Sequence, residues 1–142
     1  MDARNKQTVL VGVMLGFLLV ALIGAYTAYI SLFPMAEPMD AALPKDILSV
    51  SVCQRDGVET VVSDAAALLA LMADAEPTRT MSVNDTPTTA VYYTVFLQTH
   101  ERKCWYFVYE DHGTVYIEIP YEGVYRSEQE LLALVQSITT GV

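Results

Sequence analysis

The chain has 142 residues, 53% of them hydrophobic, and a formal net charge of -9 from 17 acidic and 8 basic side chains. That length holds one small domain, since domains run from about 50 to 250 residues, and an acidic chain without a basic patch excludes nucleic acid and anionic lipid headgroups as ligands. Its two cysteines, with no second Cys or His pair at ligand spacing, exclude a zinc site.

Residues 1–7 carry Arg4 and Lys6 against Asp2, and from Thr8 to Ile30 no charge interrupts an apolar run. At about 1.5 Å of rise per residue, residues 8–33 span a hydrocarbon core of about 30 Å as a helix. A secretory signal has an apolar region of only about 7 to 15 residues and then a small-residue cleavage site. This run is longer, and Tyr26 and Tyr29 stand where small residues would be needed, so it reads as an uncleaved anchor. The positive-inside rule places residues 1–7 in the cytoplasm, with Tyr26, Tyr29 and Phe33 at the outer headgroups and the remaining chain, net charge -10, outside the cell membrane. Gly12, Gly16, Gly24 and Ala28 form a nearly smooth ridge, which suits pairing with a second helix of the same or another protein; glycine is also simply common in membrane helices.

Residues 34–46 contain three prolines and read as a stalk. Ile47 to Gln54 alternates in polarity, Arg55-Asp56-Gly57 supplies a turn, and Val58 to Val62 completes a hairpin. Ser63 or Asp64 caps a helix to about Ala75, and Pro77 ends it. Arg79 to Val83 reads as a strand that stops at the loop Asn84-Asp85-Thr86-Pro87. Three meander strands follow, Ala90 to Thr99, Lys103 to Glu110 and Thr114 to Ile119. A turn then leads to Ser127-Glu-Gln-Glu130, which has capping-box form and opens a last helix that frays from Thr139. The expected fold is α+β over residues 47–142: a mainly antiparallel sheet of about six strands with two helices, in the order β-β-α-β-β-β-β-α.

The meander strands are apolar on both faces. Val91, Tyr93, Val95, Leu97, Tyr106, Val108, Val115, Ile117 and Ile119 define one face, and Tyr92, Phe96, Trp105, Phe107, Tyr109 and Tyr116 the other. The aromatic face needs a helix, a loop or a partner to cover it. Asn84, Asp85, Trp105, Tyr109, Tyr116, Tyr121 and Tyr125 are therefore candidate binding residues, with Gly123 expected to supply a backbone conformation other residues avoid. Cys53 and Cys104, both outside by this topology, invite a disulfide, although each also fits a strand as a small buried hydrophobe. His100 and His112 fall in turns. Glu110, Asp111, Glu118 and Glu122 could form a carboxylate group for calcium or acid–base work, although charged meander tips are more often solubilising, and no cofactor or catalytic motif is present.

Two segments, Ser82-Val-Asn-Asp-Thr-Pro87 and Tyr116-Ile-Glu-Ile-Pro-Tyr-Glu-Gly-Val-Tyr125, resemble the paired signature of an uncharacterised domain-of-unknown-function family of exported Gram-positive bacterial proteins. The resemblance covers residues 47–138. It implies a bacterial surface location and no assigned activity; relatives are held by a lipid-modified cysteine, where this chain has a helix. The expected role is a single-pass, membrane-anchored module that binds a protein or peptide. The alternatives are an assembly subunit recruited through its transmembrane helix and, third, an enzyme, for which no nucleophile, base and orienter can be named.

Overall fold

The computed structural model describes residues 3–141, so the charge reading of Asp2, like that of the Arg4 side chain, lies outside the described residues. The chain forms two compact units, which divide after Pro34.

The first unit is one helix, α1 (Ala3–Leu32). Its apolar side chains are exposed all round, and such a surface is stable only where lipid or other helices cover it. Asn5–Leu32 is long and apolar enough to cross a membrane. The hydroxyls of Thr27 and Ser31 donate back to the carbonyls of Ile23 and Thr27, at 3.0 and 2.9 Å, so neither is left unsatisfied along this stretch.

The second unit is an α+β domain built on one antiparallel sheet. Its strands are β1 (Ser49–Gln54), β2 (Thr60–Val61), β3 (Glu76–Pro77), β4 (Tyr93–Gln98), β5 (Lys103–Asp111), β6 (Thr114–Ile119) and β7 (Gly123–Ser127). They lie in the order β2-β1-β4-β5-β6-β7-β3. Helices α2 (Met39–Ala42), α3 (Ala66–Ala73) and α4 (Gln129–Thr140) complete it.

Alternation decides where the core forms. Val50 and Val52, Tyr93, Val95 and Leu97, Tyr106 and Val108, and Val115, Ile117 and Ile119 bury together with Met39, Leu68, Met72, Leu131, Leu132 and Val135 from the helices. All three helices therefore pack on the aliphatic face, where each fully buried Val, Leu or Ile contributes about 1.5–3 kcal/mol. None of these three helices packs on the aromatic face.

What crosses it is the connection between β3 and β4. β3 lies at the far edge beside β7, whereas β4 pairs with β1 and β5, so residues 78–92 must traverse the sheet. The expected strand at Arg79 to Val83 does not form. Thr78 N donates to Val124 O and Val124 N to Thr80 O, both at 3.1 Å, after which the chain leaves the edge.

Other local readings change for physical reasons. The turn expected before the last helix contains β7, which pairs with β6 in the register Ile117↔Tyr125; this pairing holds Ser127 in the sheet, so the capping box does not form. Glu128 occupies the cap position without a side-chain bond, and the helix runs to Thr140, where Gly141 closes it with a φ of 69°. Asp64 Oδ1 accepts from Ala66 N at 3.2 Å at the start of α3. The proline-containing segment read as a stalk is also not free spacer, because Met39 is 1% exposed in the core and Ala36 N donates to Thr78 O at 3.2 Å. Gly123 is needed for space: a Cβ there would lie 2.9 Å from the Ala36 Cβ.

Cys53 and Cys104 are both free thiols. Cys53 pairs with Thr94 on the aromatic face and Cys104 with Leu97 on the helix face, with β4 between their strands. Opposite faces and two strand spacings, about 9–10 Å, exceed the reach of a disulfide.

Met39→Ala in the full chain is expected to lower unfolding free energy by about 2–4 kcal/mol, as a methionine cavity in a core does. Asp46→Ala, at an exposed position, should change it by less than about 0.5 kcal/mol. Denaturant melts of both variants check this, and equal effects would remove residues 36–43 from the core.

Candidate functional site

On the aromatic face, strand register sets Phe96 against Trp105 and Thr94 against Phe107. Tyr92, just before β4, meets Phe107 edge-on with ring centroids 5.5 Å apart. Phe107 is 6% exposed, whereas Trp105 is 51% exposed, so the indole is left as an open floor. Around it lies a groove of about 510 Å³ with walls of Arg55, Asp56, Asp85, Thr86, Pro120 and Tyr121.

Three loops build those walls. The β1–β2 turn brings Arg55 and Asp56, with Arg55 at a φ of 48°. A Cβ at Gly57 would lie 2.8 Å from Gln54 O, so this turn needs glycine. The crossing connection brings Asp85 and Thr86, and the β6–β7 turn brings Pro120 and Tyr121. Tyr121 sits at a φ of 62°, a left-handed conformation that side chains other than Asn and Asp rarely occupy. From it the Tyr121 hydroxyl donates to the Asp85 carboxylate, which raises the phenol pKa, the hydrogen bond being the largest cause. The two sequence segments that carry the family resemblance are thus joined at this rim.

Beneath the crossing lies Glu118, 6% exposed on the aromatic face. Its Oε1 accepts from the Ser82 hydroxyl at 2.6 Å, and Ser82 is itself 4% exposed. A buried carboxylate is tolerated only when hydrogen-bonded. Tyr109 lies on the same face, and its phenol is pushed well above the ordinary tyrosine range, first by burial and then by the charge of Glu118 and a hydrogen bond to it. At the other end of the face, Lys103 Nζ stands 4.0 Å from the Phe96 ring centroid and 2.6 Å from Glu59 Oε1. Ser51 also donates to Glu59, at 2.8 Å. These bonds lower the Glu59 pKa, that from Lys103 most.

The candidate residues divide accordingly. Asp85, Trp105 and Tyr121 meet in the groove, and Asn84 adjoins it, its carbonyl accepting from Ser82 Oγ at 3.4 Å. Tyr109 and Tyr116 share the face but lie farther along it as a ring pair with centroids 5.8 Å apart. Tyr125 does not belong to the surface: its pairing with Ile117 turns it to the helix face, where it is 2% exposed. Gly12, Gly16 and Gly24 have open space where a Cβ would stand, and Ala28 lies on the same helix. The turn pair Arg55 and Asp56 was not foreseen as a wall, since nothing local links it to Asp85. Among the described residues no group of three or more His, Cys, Asp or Glu is placed to hold a metal ion.

One antiparallel sheet, with helices on one side and a pinned crossing loop over an aromatic face on the other, defines the class: a small α+β module with a surface groove. The chain belongs to the family DUF5301, described as "Domain of unknown function (DUF5300)", whose model matches residues 44–126. That match contains both signature segments and stops before α4. The NMR structure of a protein from Ruminococcus gnavus is similar, with a TM-score of 0.51 and 27% identity over 59% of this chain and 87% of that one. No curated protein matches the chain.

Burial raises the phenol pKa of Tyr106 as well as that of Tyr109, far above the ordinary value of 10.0. A raised folded-state pKa contributes stability that is fully present below the unfolded value and is lost as pH rises above it. In a spectrophotometric titration these two phenols should ionise only as the protein unfolds. Reversible ionisation of every tyrosine in one step near pH 10 would contradict the burial described.

Proposed function

We propose that this chain is a single-pass membrane protein whose domain stands outside the cell membrane and binds a protein or peptide partner through the Trp105 groove, without catalysis. The observation that carries the reading is the half-exposed indole of Trp105, held open between walls from three separate loops and closed at one rim by Tyr121 and Asp85. Anchoring aromatics in a walled site, with polar groups at the rim, are what interfaces use for affinity. An exposed aromatic floor without such a use is a solubility liability. The orientation rests on the charge asymmetry across the apolar helix, Arg4 and Lys6 before it against Glu37 and Asp40 after it. A second reading, assembly into a larger complex through α1, is favoured by the small residues Gly12, Gly16 and Gly24 along one ridge of the helix.

In intact cells, an epitope after Val142 should be open to external protease and one before Met1 protected; the reverse pattern rejects the orientation. For the groove, a photoreactive benzoylphenylalanine placed at Tyr121 in full-length protein should cross-link a discrete partner in its own membranes, and one at Gln136 on α4 should not. Trp105→Ala should reduce that adduct by about tenfold or more, as loss of an interface anchor does. Equal adducts from both positions, or an adduct indifferent to Trp105→Ala, would reject the groove as the site.

A further inference from the structure

β5 is longer than the strand beside it. Its pairing with β6 begins at Phe107↔Glu118, so Lys103 to Trp105 extend beyond it, and in the same register Trp105 would face Pro120. Thr99 N donates to Arg102 O at 2.9 Å, and the alternation of an antiparallel ladder then directs the backbone groups of Cys104 and Tyr106 to β4 and those of Lys103, Trp105 and Phe107 to the β6 side. Pro120 has no N–H to offer the Trp105 carbonyl. Opposite Lys103, the chain is already turning, with Glu122 N bonded to Ile119 O at 3.1 Å.

The space that β6 vacates is a notch of about 580 Å³ between the β5 edge, the β6–β7 turn and the α2 segment. Tyr106 closes its base on the helix side, its hydroxyl donating to Ala42 O at 3.2 Å. The two sides differ in chemistry. On the aromatic side stands the exposed Trp105 indole; on the other wall stand Glu37 and Glu122. Arg102 lies at one end, and the Lys103 ammonium is already taken by Glu59. The outer edges of the sheet offer no comparable run, since β2 and β3 have two residues each.

We infer that the open edge of β5 at Lys103 to Trp105 is a strand-addition site for an extended peptide segment that alternates apolar and basic residues. Only the amides of an extended chain match these ladder positions. Apolar residues of the added strand lie beside Trp105, and basic residues face Glu37 and Glu122. The inference deepens the groove reading by naming the partner's conformation and charge, and it rests on that reading.

The test uses the full chain in nanodiscs and a capped octapeptide of alternating valine and lysine. It should bind at least about tenfold more tightly than its valine–glutamate counterpart, and the Lys103 and Trp105 amides should exchange more slowly in its presence. For a segment antiparallel to β5, the residues bonded to Trp105 share its face, so N-methylation of the valine nitrogens should weaken binding by about tenfold or more, while N-methylation of the lysine nitrogens leaves it. Two methylated peptides that bind alike, or a valine–glutamate peptide that binds as well, would overturn strand addition. If either occurs while the Tyr121 adduct still forms and depends on Trp105, the groove stands and only the inference fails.

Discussion

The buried hydrogen bond from the Ser82 hydroxyl to the Glu118 carboxylate, 2.6 Å long, governs the aromatic half of the domain. The domain's three helices pack on the opposite face, so the sheet itself holds residues 78–92 across β6 and β5, through this bond and that of Tyr121 to Asp85. The dependence runs both ways. Without the Ser82 hydroxyl the buried Glu118 carboxylate would keep the Tyr109 phenol alone to offset its desolvation, and a polar crossing without an anchor would leave Phe107 and Tyr92 in water. With the bond made, the loop delivers Asp85 and Thr86 to one wall of the groove.

That arrangement explains why the face is covered in part. Tyr92 and Phe107 are buried, whereas Trp105 keeps half its surface because β6 ends beside it and the chain turns away at Pro120. The turn is held at a conformation that tyrosine seldom adopts, and the Tyr121 hydroxyl ties it back to Asp85. Strain of this kind persists where the surroundings over-determine it, and it concentrates at functional sites. The groove and the open strand edge meet at one residue, Trp105.

Much of this was legible in the sequence. The apolar run became α1, the period-two pattern separated an aliphatic from an aromatic face, and the α+β class followed from strands and helices read in order. What escaped has physical causes. β7 is short, begins at a glycine and includes Arg126, so it has little alternation to read, and its pairing depends on β6 and β3. Without it, Tyr125 passed for a surface ring and Ser127 for a helix cap. Met39 sits among prolines with no period, and only the tertiary fold draws it into the core. Arg55 and Asp56 carried a correct turn signal but no hint that Asp85, thirty residues on, would face them across the groove. The two cysteines showed the opposite lesson: a pair of thiols in one small domain invites a bridge, but their strand positions place them on opposite faces.

A double-mutant cycle on Ser82→Ala and Glu118→Gln, read by denaturant unfolding of the full chain, tests most directly whether this pair organises the aromatic face. Coupling of at least about 1 kcal/mol between the two substitutions is expected of groups in one buried hydrogen bond. Additivity to within about 0.3–0.5 kcal/mol would contradict it, because the crossing loop would then be held by something other than Glu118.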